Sequence, residues 1–168
     1  MWSCAAHARI AGTNTPDESS KPSRRLTIDD LVREARSRLE RLEPEEALAA
    51  QADGALIVDT RSNDERRRDG VIPGSVHIPR SVLEWRLDPD NDLAYRNPHV
   101  KGLDQWIVLV CAHGYSTSLG AATLQELGFA RATDMVGGFV AWRERGLPVC
   151  PAPEVDDDAV PGMGDPER

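Results

Sequence analysis

The sequence predicts an α/β sandwich around a mostly parallel sheet, and three observations carry that expectation. Ala55-Leu56-Ile57-Val58 and Trp106-Ile107-Val108-Leu109-Val110 are short apolar runs without polar alternation, and Thr133-Asp134-Met135-Val136 is a weaker third. Such runs suit strands buried on both faces, as in a parallel sheet covered by helices. Helical segments separate the runs, and alternation of strand and helix defines this class.

Taken in order, residues 1–25 mix Gly, Thr, Asn, Pro and Ser with little periodicity and read as a flexible arm. Thr27 is placed to cap a helix over about 27–42, with Leu31, Val32, Ala35, Leu39 and Leu42 along one side. Pro44 opens a second helix with Glu45 and Glu46 in its first turn, which must stop before Gly54. The first apolar run ends in Asp59 and the second in Cys111. Leu119, Ala122, Thr123 and Leu127 then mark an amphipathic helix closed by Gly128, and Phe139 to Arg145 another closed by Gly146 and Pro148. Residues 151–168 are rich in Pro and Asp and read as an acidic disordered tail. The domain is therefore 26–150, long enough for a single core.

Composition narrows the function. The chain has 168 residues, 40% hydrophobic and 29% charged, with a formal net charge of −8. That acidity argues against sequence-independent binding to nucleic acid, which needs a basic face. The longest apolar run, Trp106 to Ala112, is far short of the roughly 20 residues of a membrane span. The first residues lack a basic stretch followed by a hydrophobic one, so the chain reads as cytoplasmic, with no membrane partner. Cys4, Cys111 and Cys150 are an odd number spread far apart, which gives neither a disulfide framework nor paired metal-ligand spacing. No metal and no cofactor is expected.

In parallel sheets ligands gather beyond the carboxyl ends of the strands, and here those ends are Asp59 and Cys111. Cys111-Ala112-His113-Gly114-Tyr115-Ser116-Thr117-Ser118 lies between a buried strand and a helix. Gly114 allows a tight bend, and successive amides can turn toward one centre. The Cys111 sulfur would then sit among N–H donors at a helix N-terminus, which stabilises a thiolate or persulfide. An inert core cysteine is the bland alternative, and the strand-end position before a hydroxyl-rich helix start argues against it.

Several stretches together resemble a single rhodanese domain, the sulfurtransferase family with an active loop of the form Cys-x-x-Gly-x-Arg. Asp59-Thr60-Arg61 resembles its Asp-x-Arg, with Glu65 following. Gly70-Val71-Ile72-Pro73-Gly74-Ser75 resembles its Gly-His-Ile-Pro-Gly-Ala box, and Cys111-Ala112-His113-Gly114 its loop. Gly137-Gly138-Phe139-Val140-Ala141-Trp142 and Gly146-Leu147-Pro148-Val149 resemble its closing motif. The resemblance covers about 44–150 and leaves the leading helix outside. It implies a three-layer α/β/α sandwich in which Cys111 takes sulfur from thiosulfate or another sulfane-sulfur donor. The persulfide would pass its outer sulfur to cyanide, a thiol or a protein cysteine. Residues 112–117 (Ala112, His113, Gly114, Tyr115, Ser116, Thr117) would bind substrate, with Asp59, Arg61 and Arg86 in support.

Two positions depart from the pattern. Ser116 stands where the family has its loop Arg, and Val71 where the box has His. Without the loop Arg, a doubly charged donor loses a charge-assisted partner, so a persulfide donor is expected to be preferred over thiosulfate. Arg61, Arg80 and Arg86 are the candidates to replace that charge. Three rival readings remain at this level. A Cys-x5-Arg phosphatase needs an arginine where Thr117 stands, and phosphate would have no bidentate partner. A Cys-His hydrolase has only His113 nearby, since His7, His77 and His99 read as surface or loop residues. A non-catalytic rhodanese-like binding module would need neither Cys111 nor Gly114. Cys150 reads as a remote candidate for a resolving thiol.

Overall fold

The computed structural model describes residues 25–91 and 96–154. The arm and the acidic tail expected at the two ends, with Cys4 and His7, lie outside the described residues apart from Arg25 and 151–154. Four strands form one parallel sheet: β1 (Leu56–Asp59), β2 (Val76–His77), β3 (Ile107–Val110) and β4 (Ala132–Asp134), in the order β2-β1-β3-β4. Six helices accompany them: α1 (Ile28–Arg38), α2 (Pro44–Ala52), α3 (Asn63–Asp69), α4 (Leu83–Leu87), α5 (Ser116–Glu126) and α6 (Gly138–Glu144). A 3-10 turn at Arg80–Val82 leads into α4.

The period of two along each strand divides the core into two layers. Val58, Ile107 and Leu109 point to one side, where they meet Leu83 and Leu87 of α4 and Ala121 and Leu124 of α5. Ile57, Val108 and Val110 point to the other, against Ala47 and Ala50 of α2 and Phe139 and Trp142 of α6. Helices thus cover both faces, which is why β1 and β3 are apolar at nearly every position. This is the α/β/α sandwich that the sequence predicts.

Three helix expectations are corrected. The leading helix ends at Arg38, not at Leu42, because Leu39 is buried in extended conformation (φ −100°, ψ 135°). The chain then runs beside β4, with the Leu42 N–H donating to the Asp134 carbonyl and the Val136 N–H to the Leu42 carbonyl. Leu31, expected inside, is exposed. On α5 the buried side is Thr117, Ser118, Gly120, Ala121, Ala122 and Leu124, whereas Leu127 is exposed. Small residues let α5 lie close to the sheet on one side and to α1 on the other. Nothing in the apolar periodicity marks α3, where a capping box joins Ser62 to Glu65.

Candidate active site

β1 and β3 are neighbours in register, Asp59 beside Val110, so their carboxyl ends open on the same side. A cleft of about 270 Å³ lies there, lined by Thr60, Arg61, Ser62 and Glu65 from the first end. Cys111, Ala112, His113, Tyr115 and Ser116 line it from the second. A larger cavity of about 390 Å³ lies at the opposite end of the strands, around Trp106 and Arg131, with no cysteine in its wall. The smaller cleft is the one that gathers the residues expected from the sequence.

The loop from Cys111 to Tyr115 is shaped by where its carbonyls go. The Cys111 carbonyl accepts from the Phe139 N–H (2.9 Å) and the Ala112 carbonyl from the Val140 N–H (3.1 Å), both at the start of α6. The Gly114 carbonyl accepts from the Arg36 and Arg41 guanidiniums, at 2.8 and 3.2 Å. With these oxygens drawn outward, amide hydrogens are left to face inward. The Gly114 N–H donates to Cys111 Sγ at 3.2 Å, and the Thr117 hydroxyl lies 3.4 Å from it. Two glycines permit the approach. Gly114 (φ +72°) packs on the Met135 carbonyl, and a Cβ at Gly138 would collide with the Cys111 carbonyl and the Gly114 nitrogen. The Gly-Gly pair read from the sequence is therefore a contact surface for the thiol loop.

Cys111 is 9% exposed, enough to meet a small molecule at the cleft. Burial pushes its thiol up, but hydrogen bonds from the Ser116 and Thr117 hydroxyls and the Thr117 and His113 amides outweigh it. The thiol is left below its ordinary value. The N-terminus of the eleven-residue α5 adds its partial positive charge at the same point. The arrangement favours an anion on sulfur without a side-chain cation touching it.

Behind the loop, Asp134 at the end of β4 is fully buried. It accepts from Arg41 Nε (2.7 Å) and Nη2 (3.0 Å), from the Ser118 hydroxyl (2.8 Å) and from the Thr117 hydroxyl (3.3 Å). Arg36, Arg41, Ser118 and Asp134 were not picked out as site residues from the sequence. Their hydrogen bonds join residues up to 93 apart in the chain, and no local pattern links them.

None of the three arginines expected to replace the loop Arg is placed to do so, and Arg80 pairs with Glu84 at 2.7 Å outside the cleft wall. Arg61 is 3% exposed, bonds Asp59 at 2.6 Å, donates to the Gly70 carbonyl and stacks on Phe139 at 3.5 Å. Its charge is held by a buried carboxylate. Arg86 is buried in α4 and does not line the cleft. Asp59 closes its own turn, binding Arg61 and lying 3.6 Å from Arg66, and has no hydrogen bond to the thiol loop. Among the described residues lining the cleft, the remaining charged side chain is Glu65, whose carboxyl the Ser62 hydroxyl and amide hold below the usual range.

Other positions depart from expectation in instructive ways. Val71 exchanges backbone hydrogen bonds with Cys150 (2.8 and 3.0 Å), tying the end of the domain to the segment before β2. Cys150 is half-buried, close to the Val71 carbonyl, and does not line the cleft. His77, read as a surface or loop residue, is buried in β2 with Nε2 2.8 Å from the Arg61 carbonyl, so it braces the neighbouring turn. His99 is exposed.

A thiol ringed by backbone donors at the carboxyl end of a parallel α/β/α sheet defines a class of cysteine proteins that handle anionic groups. Residues 43–145 match the rhodanese-like domain, and the chain belongs to that family. The thiosulfate sulfurtransferase GlpE of Pseudomonas entomophila is 34% identical over 108 residues, covering 64% of this chain and 87% of that one. Among solved structures, a Rhodopseudomonas palustris protein of unknown function, described as a possible tyrosine phosphatase, superposes with a TM-score of 0.68. It is 34% identical, covering 78% of this chain and 99% of that one. A human single-domain sulfurtransferase superposes with a TM-score of 0.53 at 26% identity, covering 62% of this chain and 96% of the human one. This chain is a rhodanese-type sulfurtransferase, acting between a sulfur donor and a sulfur acceptor.

Proposed function

We propose that Cys111 is the sulfur-carrying nucleophile and that residues 112–117 form its anion cradle. The observation that carries this reading is the convergence of the Gly114 N–H and the Thr117 hydroxyl on Sγ at the wall of the cleft. The thiolate attacks the outer sulfur of thiosulfate, the donor for which the GlpE relatives are named. A new S–S bond forms as the old one breaks, and its electron pair leaves with sulfite. An acceptor, such as cyanide, a thiol or a protein cysteine, then attacks the outer sulfur of the Cys111 persulfide. That regenerates the thiolate and needs no oxidant or reductant. A low-molecular-weight persulfide serves as donor by the same displacement. With no uncommitted cation among the described residues of the cleft wall, a persulfide is expected to be preferred. A reducing cytoplasm suits a chemistry that needs a free thiol.

Asp59 and Arg61 act in this reading as a brace for the cleft wall, and Arg86, buried in α4 away from that wall, is given no part in binding the donor. The phosphatase reading is disfavoured by Thr117, which occupies the position of the phosphate-binding arginine and is buried against Asp134. A binding module without catalysis leaves the donors around Sγ unexplained. The functional unit is taken as 26–150, and that fragment should unfold cooperatively at nearly the temperature of the whole chain.

Intact-mass spectrometry after mixing with thiosulfate, and separately with a small alkyl persulfide, tests the proposal. One sulfur mass gained on Cys111 is the expected result, and absence of any gain from either donor overturns it.

A further inference from the structure

The cleft wall offers neutral donors to an anion, yet one cation stands behind it with no ion-pair partner among the described residues. Arg36 of α1 donates to the Gly114 carbonyl (2.8 Å) and to the Ser118 hydroxyl (3.2 Å), and lies over the Tyr115 ring at 5.2 Å. Among the described residues no carboxylate is within ion-pair distance of it. The other guanidinium on that carbonyl, Arg41, is neutralised by the bidentate contact with Asp134. Arg61 is likewise spent on Asp59. Glu65 at the cleft adds negative charge, and exposed His113 and Tyr115 are the remaining titratable groups on the loop.

We propose that Arg36 is the specificity-determining cation of the donor site, acting through the Gly114–Tyr115 peptide from the far side of the loop. This inference rests on Cys111 being the sulfur carrier. In a planar trans peptide the N–H points away from the C=O. Holding the Gly114 carbonyl outward therefore turns the Tyr115 N–H toward the side of the cleft, which Tyr115 lines. A guanidinium on the carbonyl also polarises the peptide and strengthens its N–H as a donor. An anion in the cleft feels Arg36 as a charge one peptide away, in partly buried surroundings that screen it less than water. Arg36 thus does at a distance part of what an arginine at position 116 would do in contact. It lies before residue 43, outside the stretch matched by the family. The charged donor is the species that gains most: thiosulfate carries two negative charges, an alkyl persulfide one.

Three variants of the full chain test this: Arg36→Gln, Arg36→Lys and, as reference, the unaltered protein. The readouts are the pH at which the thiolate ultraviolet absorbance appears and kcat/KM for thiosulfate against an alkyl persulfide. In Arg36→Gln the thiolate should appear at higher pH. Thiosulfate kcat/KM should fall about tenfold, the worth of one charge-assisted contact, and persulfide kcat/KM by less. Arg36→Lys should keep both the thiolate titration and the donor ratio near those of the reference. Equal losses for both donors with an unmoved titration would overturn the inference, as would a lysine variant that behaves like the glutamine one. If Arg36→Gln does not melt cooperatively, the lysine variant alone decides, since loss of the donor ratio in a folded protein that keeps the charge refutes an electrostatic role. Failure of the reference protein to gain sulfur would instead strike the assignment of Cys111, leaving the thiolate titration as the separate measure of Arg36.

Discussion

The carboxyl ends of β1 and β3 lie side by side, and each handles a buried anion in a different way. At the end of β1, Asp59 meets Arg61 at 2.6 Å with both side chains almost fully buried. At the end of β3, the Cys111 sulfur meets an amide, a hydroxyl and a helix N-terminus. A guanidinium in contact quenches the charge it stabilises, and the resulting pair is inert scaffold. Neutral donors stabilise a negative charge while leaving its lone pairs open to an electrophile. On the proposed reading of Cys111, the difference between an anion that holds the fold and one that reacts is thus the charge of what touches it.

The largest effect that can break this comparison is removal of the sulfur. Cys111→Ser should leave melting and ultraviolet circular dichroism unchanged and abolish sulfur gain and turnover, because a hydroxyl does not ionise at neutral pH. Sulfur transfer retained by that variant, or lost equally in Cys150→Ser, would move the nucleophile elsewhere. Next in size is Arg61→Ala. It leaves buried Asp59 with the residue-61 amide at 3.0 Å and Arg66 at 3.6 Å, and breaking a buried pair costs about 3 kcal/mol or more. Urea unfolding should show that loss, while the thiol titration of the folded protein stays in place. Unchanged stability with a fall in thiosulfate turnover would make Arg61 a donor-binding residue after all.

The two strand ends were not equally legible in the sequence. Buried parallel strands leave an unbroken apolar signature, so β1, β3 and the positions of Asp59 and Cys111 could be read from 55–59 and 106–111. The bend at Gly114 could be read as well, because a tight turn favours glycine, whereas the Gly137-Gly138 pair was legible only through the family resemblance. What could not be read was which arginines are spent. Arg61 looks available in one dimension and is locked in three. Arg36 reaches the thiol loop from α1 and Arg41 from beyond the break at Leu39, where Leu42 lies beside β4, and no sequence pattern links either to the loop. The buried face of α5 was hidden for a related reason. It packs with Gly, Ala, Ser and Thr, which hydropathy alone does not distinguish from surface. The capping box Ser62-x-x-Glu65 was a signal for α3 that apolar periodicity overlooks.

A smaller effect sharpens the contrast at sulfur itself. Thr117 has one hydroxyl proton and two acceptors within reach, Sγ at 3.4 Å and Asp134 at 3.3 Å. Thr117→Val removes the donor from the thiolate and leaves Asp134 with Arg41 and Ser118. The thiol should titrate at higher pH, because a hydrogen bond that lowers it is lost. Since the thiolate reacts, turnover falls as pH drops through the folded value. The variant should therefore lose about two- to tenfold below that pH and little above it, in line with one ordinary hydrogen bond. Stability follows the same sign. A lowered thiol pKa stabilises the fold above the unfolded value, and that contribution fades as pH falls through the folded one. A pH-independent loss of activity would place Thr117 in packing alone.

The smallest expected effect is a ratio, and it asks whether charge in contact adds to charge at a distance. Ser116 is exposed at the first residue of α5, on the wall of the cleft. Ser116→Arg introduces a guanidinium there but also removes a hydroxyl that lowers the Cys111 thiol, so both donors lose reactivity. Ser116→Ala isolates that second loss and serves as baseline. Relative to it, the arginine variant should improve thiosulfate over an alkyl persulfide by up to about tenfold, the scale of one charge-assisted hydrogen bond. A smaller gain is expected while Arg36 is present, because the first cation already offsets part of the repulsion between thiolate and dianion. Placed in the Arg36→Gln background, the same substitution should give the larger gain. A ratio that does not move in either background means that the loop amides and the α5 N-terminus hold the dianion unaided, and that charge at this mouth is set by the backbone.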